Sequence, residues 1–150
     1  MVSPEVLRRH SLFAGIDPAL FRDLAMTADE VALQAGEWFF EEGDEADALY
    51  LLESGKIDLK IDLDNTGDQR ADLNSLVAGE VFGWSALVEP YIYTLGAIAA
   101  TDVKAIRLNG LSLRQMMASN PEMGYTIMTQ LAAALGERLT NLRVQFVSMT

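Results

Sequence analysis

The segment GEVFGWSALVEPYIYTLGAIAATDV, residues 79–103, has the pattern of a loop that holds a phosphate. Glycine-containing turns at the start of a helix can direct backbone N–H groups at an anion. Such sites commonly add a basic side chain, because charge-assisted hydrogen bonds are stronger than neutral ones. This segment contains no lysine and no arginine. The sequence therefore predicts the shape of a phosphate site without its positive charge.

Other kinds of chemistry are excluded by the inventory of side chains. The chain has no cysteine, which excludes disulfides, thiolate catalysis and cysteine-ligated metals. The only histidine, His10, is interpreted as a surface residue near the end of a short helix, too isolated for a metal cluster or a nucleophilic triad. The acidic residues at 41–42 and 44–47 flank Gly43 and are interpreted as a solvated turn. We expect no metal site and no enzymatic activity.

Charge and length restrict the partners and the location. The 150 residues include 22 acidic and 11 basic side chains, for a net charge of −11. An acidic surface repels nucleic acids and anionic lipids, so we expect no direct nucleic-acid binding and no membrane association. No signal peptide and no run of about 18 apolar residues is present, so we expect a cytoplasmic protein. The length suits one domain over residues 1–150.

The central part of the chain is predicted to be an antiparallel β domain. Residues 28–108 consist of short apolar runs separated by glycine. Within them, apolar and charged residues alternate over residues 56–64. This pattern predicts a strand with Lys and Asp on its solvent-exposed face. Its buried face should carry Ile57, Leu59, Ile61 and Leu63. Residues 65–69 are predicted to form a polar hairpin loop before the chain returns as the paired strand.

Helices are predicted on both sides of this β domain. Ser3 before Pro4 and Asp17 before Pro18 mark helix starts, which makes residues 1–27 a helical prelude. Residues 109–150 should form the C-terminal helices, a short one capped by Asn109 and a long one that begins at Asn120–Pro121. The expected fold is mainly β with flanking helices.

The last helix carries apolar residues spaced alternately by four and three. This seam consists of Met128, Ala132, Leu135, Leu139, Leu142, Phe146 and Met149. A seam held at 3.5 residues per turn suits a partner helix of the same kind, so a homodimer through this helix is predicted. Alternatively, the seam covers the domain's own sheet, and Ile127 and Leu131 support such a core-facing stripe at the helix start. The two interpretations can hold at different ends of the helix.

Five segments in order resemble the cyclic-nucleotide-binding domain shared by catabolite-activator-type regulators, kinase regulatory subunits and gated channels. They are FAGIDPALFRDLA at 13–25, EEGDEADALYLLESGKIDL at 41–59, GEVFGWSAL at 79–87, TDVKAIRL at 101–108 and NPEMGYTIMTQLAAALGERL at 120–139. The resemblance implies a jelly-roll β barrel, or double-stranded β-helix, with short N-terminal helices and a long C-terminal helix. It also implies a phosphate-binding cassette at residues 79–94.

The cassette departs from the family at two positions. Four residues match the family motif, namely Phe82, Gly83, Ala86 and Leu87. In the family, a glutamate that follows the glycine takes the ribose 2′-hydroxyl, and a later arginine takes the cyclic phosphate. The resemblance places Trp84 at the glutamate position and Tyr93 at the arginine position. Both charged contacts are therefore missing.

The backbone keeps part of the anion site, since Trp84, Ser85 and Ala86 can supply N–H donors. Losing two charge-assisted hydrogen bonds at roughly 1.5–3 kcal/mol each should weaken cyclic-nucleotide binding about a hundredfold to ten-thousandfold. We therefore expect altered or lost binding of cAMP and cGMP.

Three interpretations of the cassette remain open. Trp84 and Tyr93 can fill the pocket as core, which makes the chain a ligand-free dimerisation or scaffold domain. They can instead stack on another small flat ligand, with hydroxyls from Ser85 and Thr94, which makes it a regulatory sensor that signals through its C-terminal helix. A smaller third possibility is unmodified cAMP or cGMP binding.

Overall fold

The computed structural model describes residues 2–64 and 69–148. The N-terminal helices are α1 (Pro4–Arg8) and α2 (Phe21–Met26), with 3-10 turns at Ser11–Phe13 and Pro18–Leu20. The strands are β1 (Ala28–Leu33), β2 (Trp38–Phe40), β3 (Ala48–Ser54), β4 (Ile57–Asp62), β5 (Arg70–Leu76), β6 (Val81–Phe82), β7 (Gly96–Ala99) and β8 (Val103–Asn109). A third 3-10 turn, Trp84–Leu87, follows β6, and the chain continues into α3 (Gly110–Ser119) and α4 (Pro121–Ser148).

The strands form two antiparallel sheets of four. Their orders are β1-β8-β3-β6 and β2-β7-β4-β5, so consecutive strands belong to different sheets, with the exception of the hairpin of β4 and β5. Buried residues of both sheets share one apolar core with residues of the helices, including Leu49 of β3, Ile57 of β4 and Ile127 of α4. This is the arrangement of a jelly roll. The predicted fold, mainly β with flanking helices, is confirmed.

The hairpin of β4 and β5 pairs as predicted, from Ile57 opposite Leu76 to Asp62 opposite Arg70. Ile57 and Leu59 are buried and Ile61 is half-buried. The prediction is wrong for Leu63, whose side chain is 62% exposed. The alternation is interrupted by a bulge after Leu59, and Leu63 lies beyond the end of β4. Residues 65–68 of the predicted hairpin loop lie outside the described residues.

The predicted helix caps are present. The Ser3 hydroxyl accepts a hydrogen bond from Glu5 N at 3.2 Å, and the Asp17 carboxylate accepts one from Ala19 N at 3.0 Å. The Asn109 side chain accepts from Ser112 N at 2.9 Å. Each cap satisfies an amide that has no partner within its helix. The N-terminal segment also folds onto the C-terminal one, because the turn Ser11–Phe13 packs against α4.

The apolar residues of α4 face in two directions. Ile127 and Leu131 are buried, as the core-facing stripe predicted, and the seam residues Met128 and Leu135 are half-buried against the same core. Further along the seam Leu142 is half-buried, and three seam residues are exposed, Ala132, Leu139 and Phe146. Met149 lies outside the described residues. Among the helices described, none combines the length and apolar character that crossing a bilayer requires.

Candidate functional site

The cassette turn begins with a left-handed glycine. Gly83 follows β6 with φ of 77° and ψ of 32°, and the turn Trp84–Leu87 starts directly after it. A Cβ at this position would lie 3.0 Å from the Ala48 carbonyl oxygen, so a side chain would be both strained and crowded. Only glycine allows β6 to bend here and pass so close to β3.

The backbone donors of the turn are fewer than the sequence suggested. Ala86 N donates to the Gly83 carbonyl oxygen at 3.1 Å, which closes the 3-10 turn. The prediction that the Ala86 amide faces a ligand is therefore wrong, because the third amide of a 3-10 turn makes its first internal hydrogen bond. The amides of Trp84 and Ser85 precede that bond and occupy the N-terminus of the turn.

The predicted cassette residues lie close together, and the cavity between them is very small. Phe82 and Ala86 are buried in the core, and Leu87 packs against it half-buried. The others line a cavity of about 20 Å³, hereafter the cassette cavity, which is bounded by Phe40, Leu59, Gly83, Trp84, Ser85, Tyr93, Thr94, Leu95 and Arg138. A cavity of this size has room for about one water molecule, whereas ligand pockets usually hold roughly 300–1,000 Å³. A cyclic nucleotide does not fit it.

Tyr93, which the resemblance predicts at the family's arginine position, is part of the core. Its side chain is 3% exposed, and its ring stacks on Phe40 with centroids 3.6 Å apart. Its hydroxyl donates to the Ala48 carbonyl oxygen at 2.5 Å and accepts from Ala48 N at 3.2 Å. Burial raises the pKa of Tyr93, and the nearby Tyr50 raises it further. Tyr93 is thus a neutral, hydrogen-bonded ring in the core, while Trp84, which lines the same cavity, is half-buried.

Replacing Tyr93 with Phe should lower the free energy of unfolding by about 1–3 kcal/mol, because it leaves two backbone groups of Ala48 without their partner. Urea denaturation measures the loss, and Tyr125→Phe is the control, since Tyr125 is exposed. The raised folded-state pKa of Tyr93 implies stability that is complete below its ordinary pKa of 10.0 and lost as pH rises above it. Tyr93→Phe should therefore be less sensitive to alkaline pH than wild type. Equal losses in both variants would contradict this role.

Two arginines from the C-terminal helices bind backbone carbonyl groups in the cassette turn and in β6 directly before it. Arg138 of α4 donates from Nη2 to the Val81 carbonyl oxygen at 2.5 Å. Arg114 of α3 donates from Nη1 to the Ala86 carbonyl oxygen at 2.6 Å, with its guanidinium 3.9 Å from the centroid of the Tyr91 ring. Both helices are thus linked to the cassette backbone.

Neither arginine was predicted, although the sequence contains a signal for Arg138. It lies two helical turns after Leu131, on the core-facing stripe of α4. Burial lowers the pKa of Arg138, an effect that Glu80 partly opposes. Arg138 lines the cassette cavity together with Ser85, so a cation reaches the site from the helix and not from the loop.

His10 is not the surface residue that the sequence suggested. It is half-buried, and its Nδ1 accepts a hydrogen bond from Leu12 N at 3.0 Å, which caps the turn Ser11–Phe13. The surface interpretation is wrong because the turn that His10 caps packs against α4. Burial lowers the pKa of His10. Within the described ranges, no group of three or more His, Asp or Glu residues is arranged to hold a metal ion.

The acidic turn is largely exposed, as predicted, but it is also ordered by specific contacts. Glu41 pairs with Arg70 at 2.6 Å, and the Arg70 guanidinium lies 4.5 Å from the centroid of the Trp38 ring. Glu42 accepts a hydrogen bond from Asp62 N at 2.8 Å. These contacts tie the turn to the sheet of β4 and β5.

Comparison with known proteins identifies the family. Residues 30–120 match the model of the cyclic nucleotide-binding domain. The CRP-like cAMP-activated global transcriptional regulator of Mycobacterium tuberculosis H37Rv is 28% identical over 92% of this chain, which spans 61% of that relative. The cAMP-dependent protein kinase regulatory subunit of Aspergillus fumigatus is 30% identical over 71% of this chain and 24% of its own length.

Solved structures agree with this result. One from Geobacter metallireducens GS-15, of a protein assigned to the cyclic nucleotide-binding proteins, superposes with a TM-score of 0.83 and 34% identity, covering 93% of this chain and 99% of that one. The catabolite activator protein of Thermus thermophilus superposes with a TM-score of 0.68 and 26% identity. This match covers 98% of this chain and 63% of that one. The predicted resemblance is confirmed, and the chain belongs to the cyclic nucleotide-binding domain family.

Proposed function

We propose that this chain is a regulatory sensing domain that has lost the response to cAMP and cGMP and signals through α4. The observation that carries the proposal is the state of Tyr93, which fills the position of the phosphate-binding arginine. It stacks on Phe40 and bonds to Ala48, and the cavity left beside it is about 20 Å³. The role is regulatory and not catalytic, in keeping with the relatives, which are regulators.

The relatives support a regulatory role for this chain, but they do not support cAMP as its ligand. The Mycobacterium regulator is cAMP-activated by name, and this chain spans only 61% of it. Here the two positions that recognise the nucleotide carry aromatic residues, and the amide of Ala86 is committed within the turn. We propose the cytoplasm as the location of such a regulator. We also propose a homodimer through α4, since Leu139 and Phe146 on its seam are exposed.

A ligand-free dimerisation domain is the second candidate. The near absence of space between Trp84 and Tyr93 favours it, because a filled pocket needs no ligand to be stable. The two candidates differ in whether any small molecule changes the contacts of α4 with the cassette. Both agree that cAMP at micromolar concentrations has no effect.

The absence of a cyclic-nucleotide response can be tested by fluorescence. The chain has two tryptophans, so a Trp38→Phe variant leaves Trp84 as the only reporter, at the edge of the cassette cavity. We expect cAMP and cGMP at up to about 10 μM to leave both the Trp84 emission and the thermal midpoint unchanged, since a ligand far below its Kd adds little stability. Saturable micromolar binding of cAMP by the unaltered protein would overturn the proposal.

A further inference from the structure

A second and larger cavity adjoins Arg138. It measures about 460 Å³, which is within the usual range for a small-molecule site. It lies between the turn Ser11–Phe13, the end of β5 with the segment that follows it, and α4; we name it the prelude cavity. Polar side chains on its wall include His10, Asn74, Ser75, Gln130, Arg138 and Asn141. Its wall therefore combines three separate parts of the chain.

Two residues of this wall, His10 and Arg138, each have a buried donor atom that lacks a partner. In the part of the chain that the structure describes, the buried side-chain polar atoms without a hydrogen bond are His10 Nε2 and Arg138 Nε. Because His10 Nδ1 accepts from Leu12 N, the proton resides on Nε2, which makes this atom a donor. The Gly79 backbone raises the pKa of His10 and so partly offsets the effect of burial. His10 Nε2 nevertheless makes no hydrogen bond within the described residues. Both atoms therefore require an acceptor, and burying a donor without one is unfavourable.

The charges around the prelude cavity restrict what that acceptor can be. Arg138 contributes one positive charge, and Glu80 and Glu137 contribute two negative ones. Glu80 already accepts a hydrogen bond from Val77 N at 2.7 Å, and Glu137 is exposed. The two carboxylates repel a dianion such as phosphate about twice as strongly as a monoanion. A single carboxylate can also accept from Arg138 in its preferred planar geometry. The side-chain amides of Asn74, Gln130 and Asn141 and the hydroxyl of Ser75 can contact a polar or planar group in the rest of the ligand.

We propose that the prelude cavity is a binding site for a small organic monocarboxylate, which turns the buried donors of Arg138 and His10 toward its carboxylate. This inference rests on the proposed sensing function and moves the ligand out of the cassette cavity. Arg138 borders both cavities, and its Nη2 is bonded to the Val81 carbonyl oxygen. A carboxylate that binds Arg138 competes with that oxygen. Ligand binding would thus change the link between α4 and the cassette.

The side-chain N–H signal of Arg138 allows a direct test. In the full chain labelled with 15N-arginine, benzoate is the probe, and benzamide is the neutral control of the same shape. We expect a saturable shift of the Arg138 Nε–H signal, with a rise in thermal midpoint, for benzoate up to about 20 mM, the range in which small fragments bind. Benzamide should give neither. Arg138→Gln should abolish the rise in thermal midpoint with benzoate, and Arg143→Gln, at an exposed position of the same helix, should keep both the rise and the Arg138 shift.

Three results would overturn the inference. They are the absence of a saturable benzoate shift in folded wild type, an equal response to benzamide, or an unchanged rise in thermal midpoint with benzoate in folded Arg138→Gln. The first would mean that water alone occupies the cavity. If Arg138→Gln does not fold, Arg138→Lys and the comparison of benzoate with benzamide in wild type still decide the question. A cAMP response of Trp84 would contradict the proposed function separately, because that reporter lies at the cassette cavity.

Discussion

A variant carrying Leu139→Glu and Phe146→Glu should run as a folded monomer under conditions in which the wild type runs as a dimer. The two side chains are 70% and 69% exposed and border an apolar groove between α4 and β5. Burying a large apolar side chain contributes about 1.5–3 kcal/mol, and a two-fold dimer buries each residue twice. The double substitution should therefore raise the dimer Kd at least about a hundredfold.

Light scattering coupled to size exclusion measures the change in mass. Met26→Glu is the matched control, because Met26 is equally exposed but lies on α2, outside the seam. Leu135 is avoided as a target since it packs against the core of its own domain, where glutamate would threaten folding. If the wild type is already a monomer at high micromolar concentration, the seam serves only the packing of its own domain.

The second large effect is expected at the cassette. Replacing Trp84 with Glu and Tyr93 with Arg restores the two charges that the family uses, and should strengthen cAMP binding about a hundredfold to ten-thousandfold over wild type. The amides of Trp84 and Ser85, at the N-terminus of the turn, remain to support the phosphate. The variant should be less stable without ligand, because it loses the stacking of Tyr93 on Phe40 and the hydrogen bonds to Ala48. Its thermal midpoint should rise with cAMP.

A variant with Trp84→Gln and Tyr93→Leu separates charge from space. It opens the cassette cavity without adding an ion, so its calorimetric affinity for cAMP should stay near that of wild type. Equal binding by the charged and uncharged variants would show that volume alone excludes the nucleotide. Failure of the charged variant to bind, while it remains folded, would contradict the assignment of Trp84 and Tyr93 to the family positions.

Local pattern was sufficient for much of the fold. The period-two strand at residues 56–64 and the helix caps at Ser3, Asp17 and Asn109 depend on neighbours within a few residues, and the structure bears them out. The errors at Leu63 and His10 have the opposite origin. Where β4 ends and what covers the ring of His10 are decided by tertiary packing, which alternation and capping rules do not contain.

The sequence grouped cassette residues that the structure brings together around one cavity, but it did not indicate their contacts. The assignment of Trp84 and Tyr93 to the two charged positions of the family stays a prediction. The hydrogen bond from Tyr93 to Ala48 spans 45 residues, and those from Arg114 and Arg138 span 28 and 57. The heptad spacing of α4 assigns a face to Arg138, but it does not specify the carbonyl that the guanidinium meets. Such pairings depend on the closed topology of the two sheets.

Arg114 and Arg138 bind the backbone of the cassette turn and of β6 before it. These contacts bear on how such domains evolve. Each arginine bonds to a main-chain carbonyl oxygen, that of Ala86 or Val81, and every amino acid supplies such an oxygen. Substitutions within the turn can therefore alter what it recognises while its attachment to α3 and α4 persists. Under the proposed function, recognition and transmission are then separate traits under selection, and a lineage can exchange its ligand without rebuilding α3 and α4.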